Sequence, residues 1–239
     1  MEAMIFCAGL GTRMQPITNH KPKALVKVNG VTLLERNILK MISHGITKII
    51  INVHHYPDLI IDFLKQKNFD CEIIISDERN ELLDTGGGLM KAKKYFSLKD
   101  NILLHNVDIL SDLDFNLLEQ YHNSLNTSIA TLAVRNRETK RYLLFNEENI
   151  LVGWKNIATK EEKIKRMSSK QIPFAFSGIQ IVSKDIFNLN SLNGKFSLTD
   201  MYLSLAEENN IYSYCHNEGK WIDVGNPLLI KKAEEMFEK

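Results

Sequence analysis

Short apolar runs alternate with amphipathic stretches through the first half of the chain. Apolar runs that predict strands cover 3–8, 48–53, 72–76 and 101–106, and stretches with helical periodicity cover 33–44, 58–67, 89–96 and 115–124. The run 48–53 is apolar on both strand faces, which is typical of a strand covered by helices on both sides. A strand-helix alternation of this kind predicts a parallel sheet.

The second half changes character, because strands follow one another with fewer helices between them. Strand patterns cover 128–134, 141–145, 150–154 and 174–182, the polar stretch 156–170 predicts a surface excursion, and helices are expected from Thr199 and from Pro227. We therefore expect an α/β, Rossmann-like fold with a mostly parallel central sheet flanked by helices and a mixed or antiparallel extension. The chain 1–239 is expected to form one domain, with halves 1–125 and 126–239.

Composition narrows the classes of protein. The 239 residues carry a formal charge of +1, so no overall basic field favours nucleic acid, and a polyanion would have to be bound in a local pocket. The sequence shows neither a long apolar span nor a signal peptide, which predicts no membrane partner and a cytoplasmic location. Cys7, Cys71 and Cys215 are too widely spaced to suggest a disulfide framework or a zinc site.

A glycine-rich turn, Ala8-Gly9-Leu10-Gly11-Thr12-Arg13, follows the first predicted strand. Ligands of open α/β sheets bind beyond the carboxyl ends of the strands, and glycines let backbone amides converge on an anion. Thr12 and Arg13 would add side-chain donors. An ordinary strand-to-helix turn explains Gly-x-Gly equally well. Met14 stands where a dinucleotide fingerprint needs a third glycine, and a Walker A ending is absent from the sequence.

A second basic segment follows the turn. Pro22 stiffens the chain immediately before Lys23, which would hold this lysine at a set distance from the glycines. The ammonium of Lys23 could meet a reacting phosphate there. Taken alone, the lysines fit a solvated basic turn with Lys21 and Lys27 better than a phosphate site.

These segments together resemble the signature of the sugar-phosphate nucleotidyltransferases. Gly9-Leu10-Gly11-Thr12-Arg13-Met14, Pro16 and Lys21-Pro22-Lys23-Ala24-Leu25-Val26 match its opening part. Four further motifs follow in the family's order: Asp84-Thr85-Gly86-Gly87-Gly88, Asn106-Val107-Asp108, Phe176-Ser177-Gly178-Ile179 and Trp221-Ile222-Asp223-Val224-Gly225. The resemblance covers nearly the whole chain. It implies a GT-A-like fold and an enzyme that converts a nucleoside triphosphate and a sugar 1-phosphate into an NDP-sugar and pyrophosphate.

The resemblance also implies a role for each motif. It makes residues 1–125 the nucleotide-binding half and 126–239 the sugar-binding half. Arg13 and Lys23 are expected to be catalytic, and the nucleotide is expected to contact Ala8, Gly9, Gly11, Thr12, Arg13, Lys23, Thr85, Gly86 and Gly87. The glycines would form a loop against the base, ahead of a helix starting near Leu89. The sugar phosphate is expected to contact Asn106, Ser177 and Gly178, and Mg²⁺ is expected on Asp108 and Asp223.

Some of these motifs have simpler explanations or depart from the family. A lone aspartate at a strand end is more often a turn former or a cap, and Gly178 could be a structural strand glycine. Val107 stands where the family has glycine before its first aspartate. The Glu-Lys-Pro motif of many members is not visible between Trp154 and Phe174, which leaves the charged contacts to the sugar unassigned.

The substrate pair is less constrained than the reaction. The motif Asp84-Thr85-Gly86-Gly87-Gly88 looks most like enzymes that join UTP to N-acetylmuramate 1-phosphate. GTP with mannose 1-phosphate or heptose 1-phosphate, and CTP with phosphocholine, are the alternatives. A sensor that binds nucleotide sugars without catalysis is the alternative from another class. The sequence leaves the oligomeric state open.

Overall fold

Fourteen strands and seven α-helices occur in the part of the chain that the computed structural model describes, residues 1–125 and 127–238. The strands are β1 (Glu2–Phe6), β2 (Lys27–Val28), β3 (Val31–Thr32), β4 (Lys48–Val53), β5 (Glu72–Asp77), β6 (Ile102–Asn106), β7 (Ile109–Ser111), β8 (Ser128–Arg135), β9 (Arg141–Phe145), β10 (Leu151–Asn156), β11 (Glu161–Ile164), β12 (Ile172–Val182), β13 (Asn210–Cys215) and β14 (Trp221–Asp223). The helices are α1 (Leu33–Ser43), α2 (Pro57–Lys65), α3 (Asp84–Ala92), α4 (Phe115–Ser124), α5 (Ile186–Leu189), α6 (Leu198–Leu205) and α7 (Leu228–Met236). None of these helices is long and apolar enough to cross a membrane.

The central sheet has the strand order β13-β8-β12-β6-β1-β4-β5. Strands β6, β1, β4 and β5 are parallel to one another, and β12 runs antiparallel to both of its neighbours, β6 and β8. Strand β13 is parallel to β8. The first residues of β12 pair with β9, which continues through β10 to β11 as an antiparallel extension. The predicted α/β architecture is therefore confirmed.

Both faces of the central sheet are buried, as the apolar strand pattern predicts. Ala3 and Ile5 of β1 belong to one hydrophobic cluster, which also includes residues of α1. Met4 and Phe6 point to the opposite face and join a second cluster with residues of α6. Successive strand residues point to opposite faces, so a strand buried on both sides has no polar alternation. The sheet therefore leaves its strand ends as the natural place for a ligand.

Several predicted elements have the expected limits, including β4, β9 and α4. The predicted start of α3 near Leu89 is wrong, because this helix begins at Asp84 and contains all three glycines. A Cβ at Gly86 would collide with the Phe196 ring, and one at Gly87 would collide with the Gly194 carbonyl. The glycines are helical because the chain around Phe196 packs directly against the helix backbone.

A short ribbon formed by β7 and β14 positions the site. The two strands pair antiparallel, with Asp223 opposite Ile109 and Trp221 opposite Ser111. Beyond the paired residues, the Val224 N–H donates to the Asp108 carbonyl at 2.8 Å. The ribbon therefore brings the segment around residue 223 against the end of β6.

Candidate active site

A cavity of about 340 Å³ opens beyond the ends of β1 and β4. One part of its wall comes from the glycine-rich turn, and another comes from the start of α3 and the segment before α6. The residues that line it are Phe6, Ala8, Gly9, Leu10, Gly11, Thr12, Arg13, Lys23, Asn52, Leu82, Asp84, Thr85, Lys195 and Gly225. The structure thus brings all the predicted contacts of the glycine-rich turn to one cavity, together with Lys23 and Thr85.

Glycine occupies positions 9 and 11 of the turn for different physical reasons. Gly11 has φ of 67°, a left-handed conformation that favours glycine, and a Cβ there would come within 3.1 Å of the Thr18 Cγ2 methyl. The Thr18 hydroxyl also donates to the Gly11 carbonyl at 2.8 Å. A Cβ at Gly9 would meet nothing within 4 Å. The fold therefore requires glycine at position 11, whereas Gly9 only leaves space in the cavity.

Four charged side chains meet beside this turn. The Lys23 ammonium lies 2.5 Å from the Asp108 carboxylate, and Arg13 lies 4.0 Å from both Asp108 and Asp223. Lys23 and Asp108 are largely buried, whereas the Arg13 side chain is 69% exposed. A Cβ at Gly225 would come within 2.8 Å of the Arg13 guanidinium and 2.7 Å of Asp223 Oδ1. Gly225 therefore allows these charged groups to approach one another.

The two aspartates experience different electrostatic environments. Burial acts to raise the pKa of Asp108, but the Lys23 charge and hydrogen bond outweigh it and hold the pKa below its usual value. Burial, together with the negative charge of Asp108, raises the pKa of Asp223. Asp223 Oδ1 is buried and has no hydrogen-bond partner among the described residues. A buried carboxylate oxygen in this condition suits a ligand that supplies positive charge.

The predicted base-binding residues divide into two groups. Thr85 lines the cavity, and its hydroxyl accepts a hydrogen bond from the Leu198 N–H at 2.9 Å. The N–H groups of Gly86 and Gly87 donate to the Phe196 carbonyl at 2.9 and 3.2 Å. These two amides are therefore already engaged in packing α3, and a contact of the glycines with a base stays a prediction.

The predicted sugar-binding residues lie along β12 and at the end of β6. Gly178 has φ of 75°, and a Cβ there would come within 2.7 Å of the Ile109 side chain and 3.0 Å of the Asn106 amide. Ser177 is fully buried, and its hydroxyl bonds to His216 Nε2 at 2.8 Å. Close packing explains the glycine at position 178, and the Ser177 hydroxyl already has a hydrogen-bond partner within the protein. Their contacts with a sugar phosphate stay predictions.

Asn52 and Glu78 form a polar pair under the cavity that the sequence prediction missed. The Asn52 side chain accepts from the Cys7 N–H at 2.8 Å and donates to Glu78 at 2.9 Å. Glu78 is completely buried, and burial raises its pKa. These contacts tie the end of β1 to β4 and to the segment after β5. The signal for Asn52 was available in the sequence, since it is the one polar residue in the stretch 49–53.

Comparison with known proteins identifies the family of the chain. Residues 2–238 match the family described as Nucleotidyl transferase. The chain belongs to this family. It is accordingly an enzyme of the nucleotidyl transferase kind, and the recognition from sequence motifs is confirmed.

Two relatives and one solved structure illustrate how the family match extends along the chain. An N-acetylmuramate alpha-1-phosphate uridylyltransferase of Caulobacter vibrioides is 27% identical in an alignment of 240 positions that covers 97% of this chain and 95% of that protein. Mannose-1-phosphate guanyltransferase 2 of Candida glabrata is 28% identical in an alignment of 232 positions that covers 95% of this chain and 62% of that protein. The chain therefore spans nearly all of the first relative and less than two thirds of the second.

The crystal structure of HddC from Yersinia pseudotuberculosis complexed with GMP-PN superposes with a TM-score of 0.78. The match covers 99% of both chains at 23% sequence identity. The nucleotidyl transferase fold is therefore shared along the whole length of the two proteins.

Proposed function

We propose that this nucleotidyl transferase joins UTP to N-acetylmuramate 1-phosphate, forming the UDP-sugar and releasing pyrophosphate. The observation that carries the reaction class is the convergence of Arg13, Lys23, Asp108 and Asp223 beside a glycine-rich turn. The choice of substrates is supported by the Caulobacter uridylyltransferase, which matches this chain over nearly its full length.

The chemistry requires no general base from the protein. A sugar phosphate oxygen is already anionic near neutral pH, because the second pKa of a phosphate monoester is about 6. This oxygen attacks the α-phosphorus of the triphosphate. A new P–O bond forms while the bond to the β-phosphate oxygen breaks, and its electron pair leaves with pyrophosphate. Catalysis then consists of holding two polyanions in line and stabilising the charge that shifts between them.

Two cations are placed to carry that stabilisation. Arg13 is exposed at the mouth of the cavity, where its forked guanidinium can bind the departing β- and γ-phosphates. Lys23 is held by Asp108 at 2.5 Å and also lines the cavity, so its ammonium can neutralise the α-phosphate during transfer. The backbone of Gly9 and Gly11 and the hydroxyl of Thr12 complete the contacts to the triphosphate.

Asp108 and Asp223 are the residues that would hold Mg²⁺. Their carboxylates are hard oxygen ligands, and the partnerless Oδ1 of Asp223 fits a role in binding a cation. Two protein ligands would leave other positions on the ion for substrate phosphates and water. When bound, Mg²⁺ would supply positive charge that polarises the phosphates of the substrates.

A pyrophosphate-release screen tests the proposal directly. Purified protein is incubated with each of the four nucleoside triphosphates against N-acetylmuramate, N-acetylglucosamine, mannose and heptose 1-phosphates and phosphocholine, with and without Mg²⁺. We expect the highest kcat/KM with UTP and N-acetylmuramate 1-phosphate. Preference for GTP with mannose or heptose 1-phosphate would support the guanylyltransferase alternative instead, and absence of release with every pair would refute the enzymatic proposal.

Asp108→Asn tests the proposed metal site. This variant keeps the size of the side chain but removes a charged ligand, so Mg²⁺-dependent release is expected to fall to background. Titration of Mg²⁺ into wild-type protein should restore activity lost after treatment with a chelator. Unchanged Mg²⁺-dependent activity in Asp108→Asn would remove Asp108 from the metal site.

A further inference from the structure

Arg137 lies just beyond the end of β8, among residues of the sugar-binding half. Its guanidinium stacks over the Trp221 ring, with 4.5 Å from the guanidinium carbon to the ring centroid. Nη2 donates to the Phe176 carbonyl at 3.0 Å, while Nη1 makes only a long contact of 3.4 Å with the Glu138 carbonyl. The Trp221 indole N–H donates to the Ser177 carbonyl at 2.9 Å, which fixes the ring under the arginine. The side chain is therefore positioned by β12 and β14.

The charge of Arg137 lacks a direct counterion. Among residues 1–125 and 127–238, no carboxylate oxygen lies within 4.0 Å of its guanidinium, and its buried Nε has no hydrogen-bond partner. Burial lowers the pKa of this guanidinium, and the charge of Asp223 acts in the opposite direction. A half-buried cation with neutral hydrogen-bond partners is costly unless an anion completes its environment.

The location of Arg137 indicates which anion that is. Trp221, on which it stacks, precedes Asp223 by two residues on β14, and the guanidinium is close enough to the Asp223 carboxylate to interact with its charge. Arg137 does not line the cavity that contains the glycine-rich turn. Arg13 and Lys23 line that cavity and serve the triphosphate in the proposed reaction. The second polyanion needs a positive group of its own, since two negative phosphates must approach each other.

We propose that Arg137 binds the phosphate of the incoming sugar 1-phosphate and orients its attacking oxygen. This inference rests on the proposed reaction class, but it does not depend on which base the nucleotide carries. Nη1 is the donor most free to turn toward the ligand, and the planar guanidinium suits the oxygens of a phosphate. The positive group that binds the sugar phosphate is then supplied by the segment just after β8.

Direct binding and steady-state kinetics of Arg137→Gln and Arg137→Lys test this role. In Arg137→Gln we expect the Kd and the KM for the sugar phosphate to rise about 10-fold to 100-fold, the scale of a lost charge-assisted hydrogen bond. The KM for the triphosphate should stay within about twofold, on the argument that uncoupled sites have additive free energies. Arg137→Lys should recover part of the sugar-phosphate affinity, because it keeps the charge but not the fork.

Arg141→Gln is the matched control, since Arg141 is an exposed arginine at the start of β9. It is expected to leave both KM values unchanged. Thermal unfolding of all variants separates a binding defect from a folding defect. If Arg137 only supports the packing of Trp221, the Lys and Gln variants will lose thermal stability or will weaken both substrates equally, and the proposal is then overturned.

Calorimetry with three ligands identifies the group that Arg137 binds. N-acetylmuramate 1-phosphate has a phosphate and a carboxylate, N-acetylglucosamine 1-phosphate has only the phosphate, and free N-acetylmuramate has only the carboxylate. Equal losses of affinity for the two sugar phosphates in Arg137→Gln would support the proposal. Loss confined to the ligands with a carboxylate would overturn it, as would failure of wild-type protein to bind any sugar 1-phosphate. Absence of turnover with UTP, despite sugar-phosphate binding, would instead reject the proposed function.

Discussion

Substitution of Gly9 and Gly11 by alanine separates the requirements of the fold from those of the ligand. Gly9 has an ordinary φ and an open space where its Cβ would lie, whereas Gly11 has φ of 67° and the Thr18 methyl close by. The same added methyl group therefore has different consequences two residues apart. Gly9→Ala should affect nucleotide binding, and Gly11→Ala should also affect stability.

The expected magnitudes follow from these environments. An alanine in the left-handed region costs about 1–2 kcal/mol, so Gly11→Ala should lower the free energy of unfolding by at least this amount. Gly9→Ala should leave that free energy unchanged or raise it by about 0.4–1 kcal/mol, because alanine restricts the unfolded chain. In the cavity, however, the Gly9→Ala methyl keeps a triphosphate away from backbone N–H donors. Loss of one such bond to a charged group is worth about 1.5–3 kcal/mol, or at least 10-fold in kcat/KM.

Urea unfolding and pyrophosphate release on the same preparations provide the assay. The informative result is a Gly9→Ala protein that is as stable as wild type but has at least 10-fold lower kcat/KM for the triphosphate. Wild-type kcat/KM in Gly9→Ala would refute the inference that this position faces the nucleotide. A large loss of stability in Gly9→Ala would show that the space around its Cβ is not open.

Three further predictions concern catalysis, packing and pH. Lys23→Ala should lower turnover about 100-fold or more with the fold intact, as for a lost charge-stabilising donor, and near-normal turnover would reject this role. Gly87→Ala should lower the free energy of unfolding by about 1–3 kcal/mol in urea titrations, because its methyl would press on the Gly194 carbonyl; unchanged stability would contradict the packing. Burial lowers the pKa of His122 to about 4, so the unfolded chain takes up its proton first and stability should fall as pH drops from about 6.5 to about 4. In His122→Gln the decline measured by urea unfolding should be shallower by up to about 1.4 kcal/mol per pH unit, and an identical slope would contradict the assignment.

The sequence predicted the fold where apolar periodicity decides it. Strand β4 and helix α4 have the predicted limits because each carries a regular pattern whose period distinguishes strand from helix. Local pattern failed at α3, where three successive glycines favour a loop. The packing of Phe196 against the helix backbone, a contact distant in sequence, makes a helix of this segment.

The candidate site was predictable to the extent that motifs identify residues, but motifs do not give contacts. Strands β7 and β14 have three residues each and were missed, although their pairing brings Asp223 beside Asp108. The contact between Lys23 and Asp108 likewise follows only from the folded chain. The sequence pattern does not distinguish Arg137, because an arginine in a polar stretch after a strand is common. Its stacking on Trp221 is visible only in the folded chain.

In the proposed mechanism, the β7–β14 ribbon makes activity depend on the completion of folding. Asp108 and Asp223 come together only when a segment near the end of the chain pairs with one near its middle, and such distant pairings carry a large loop-closure entropy. A polypeptide that has paired β1, β4 and β6 but not this ribbon lacks the second carboxylate of the site. In the proposed reaction, opening of this six-residue ribbon alone would separate Asp223 from Asp108 and abolish activity while the central sheet stays intact. Turnover therefore reports that β14 has paired with β7.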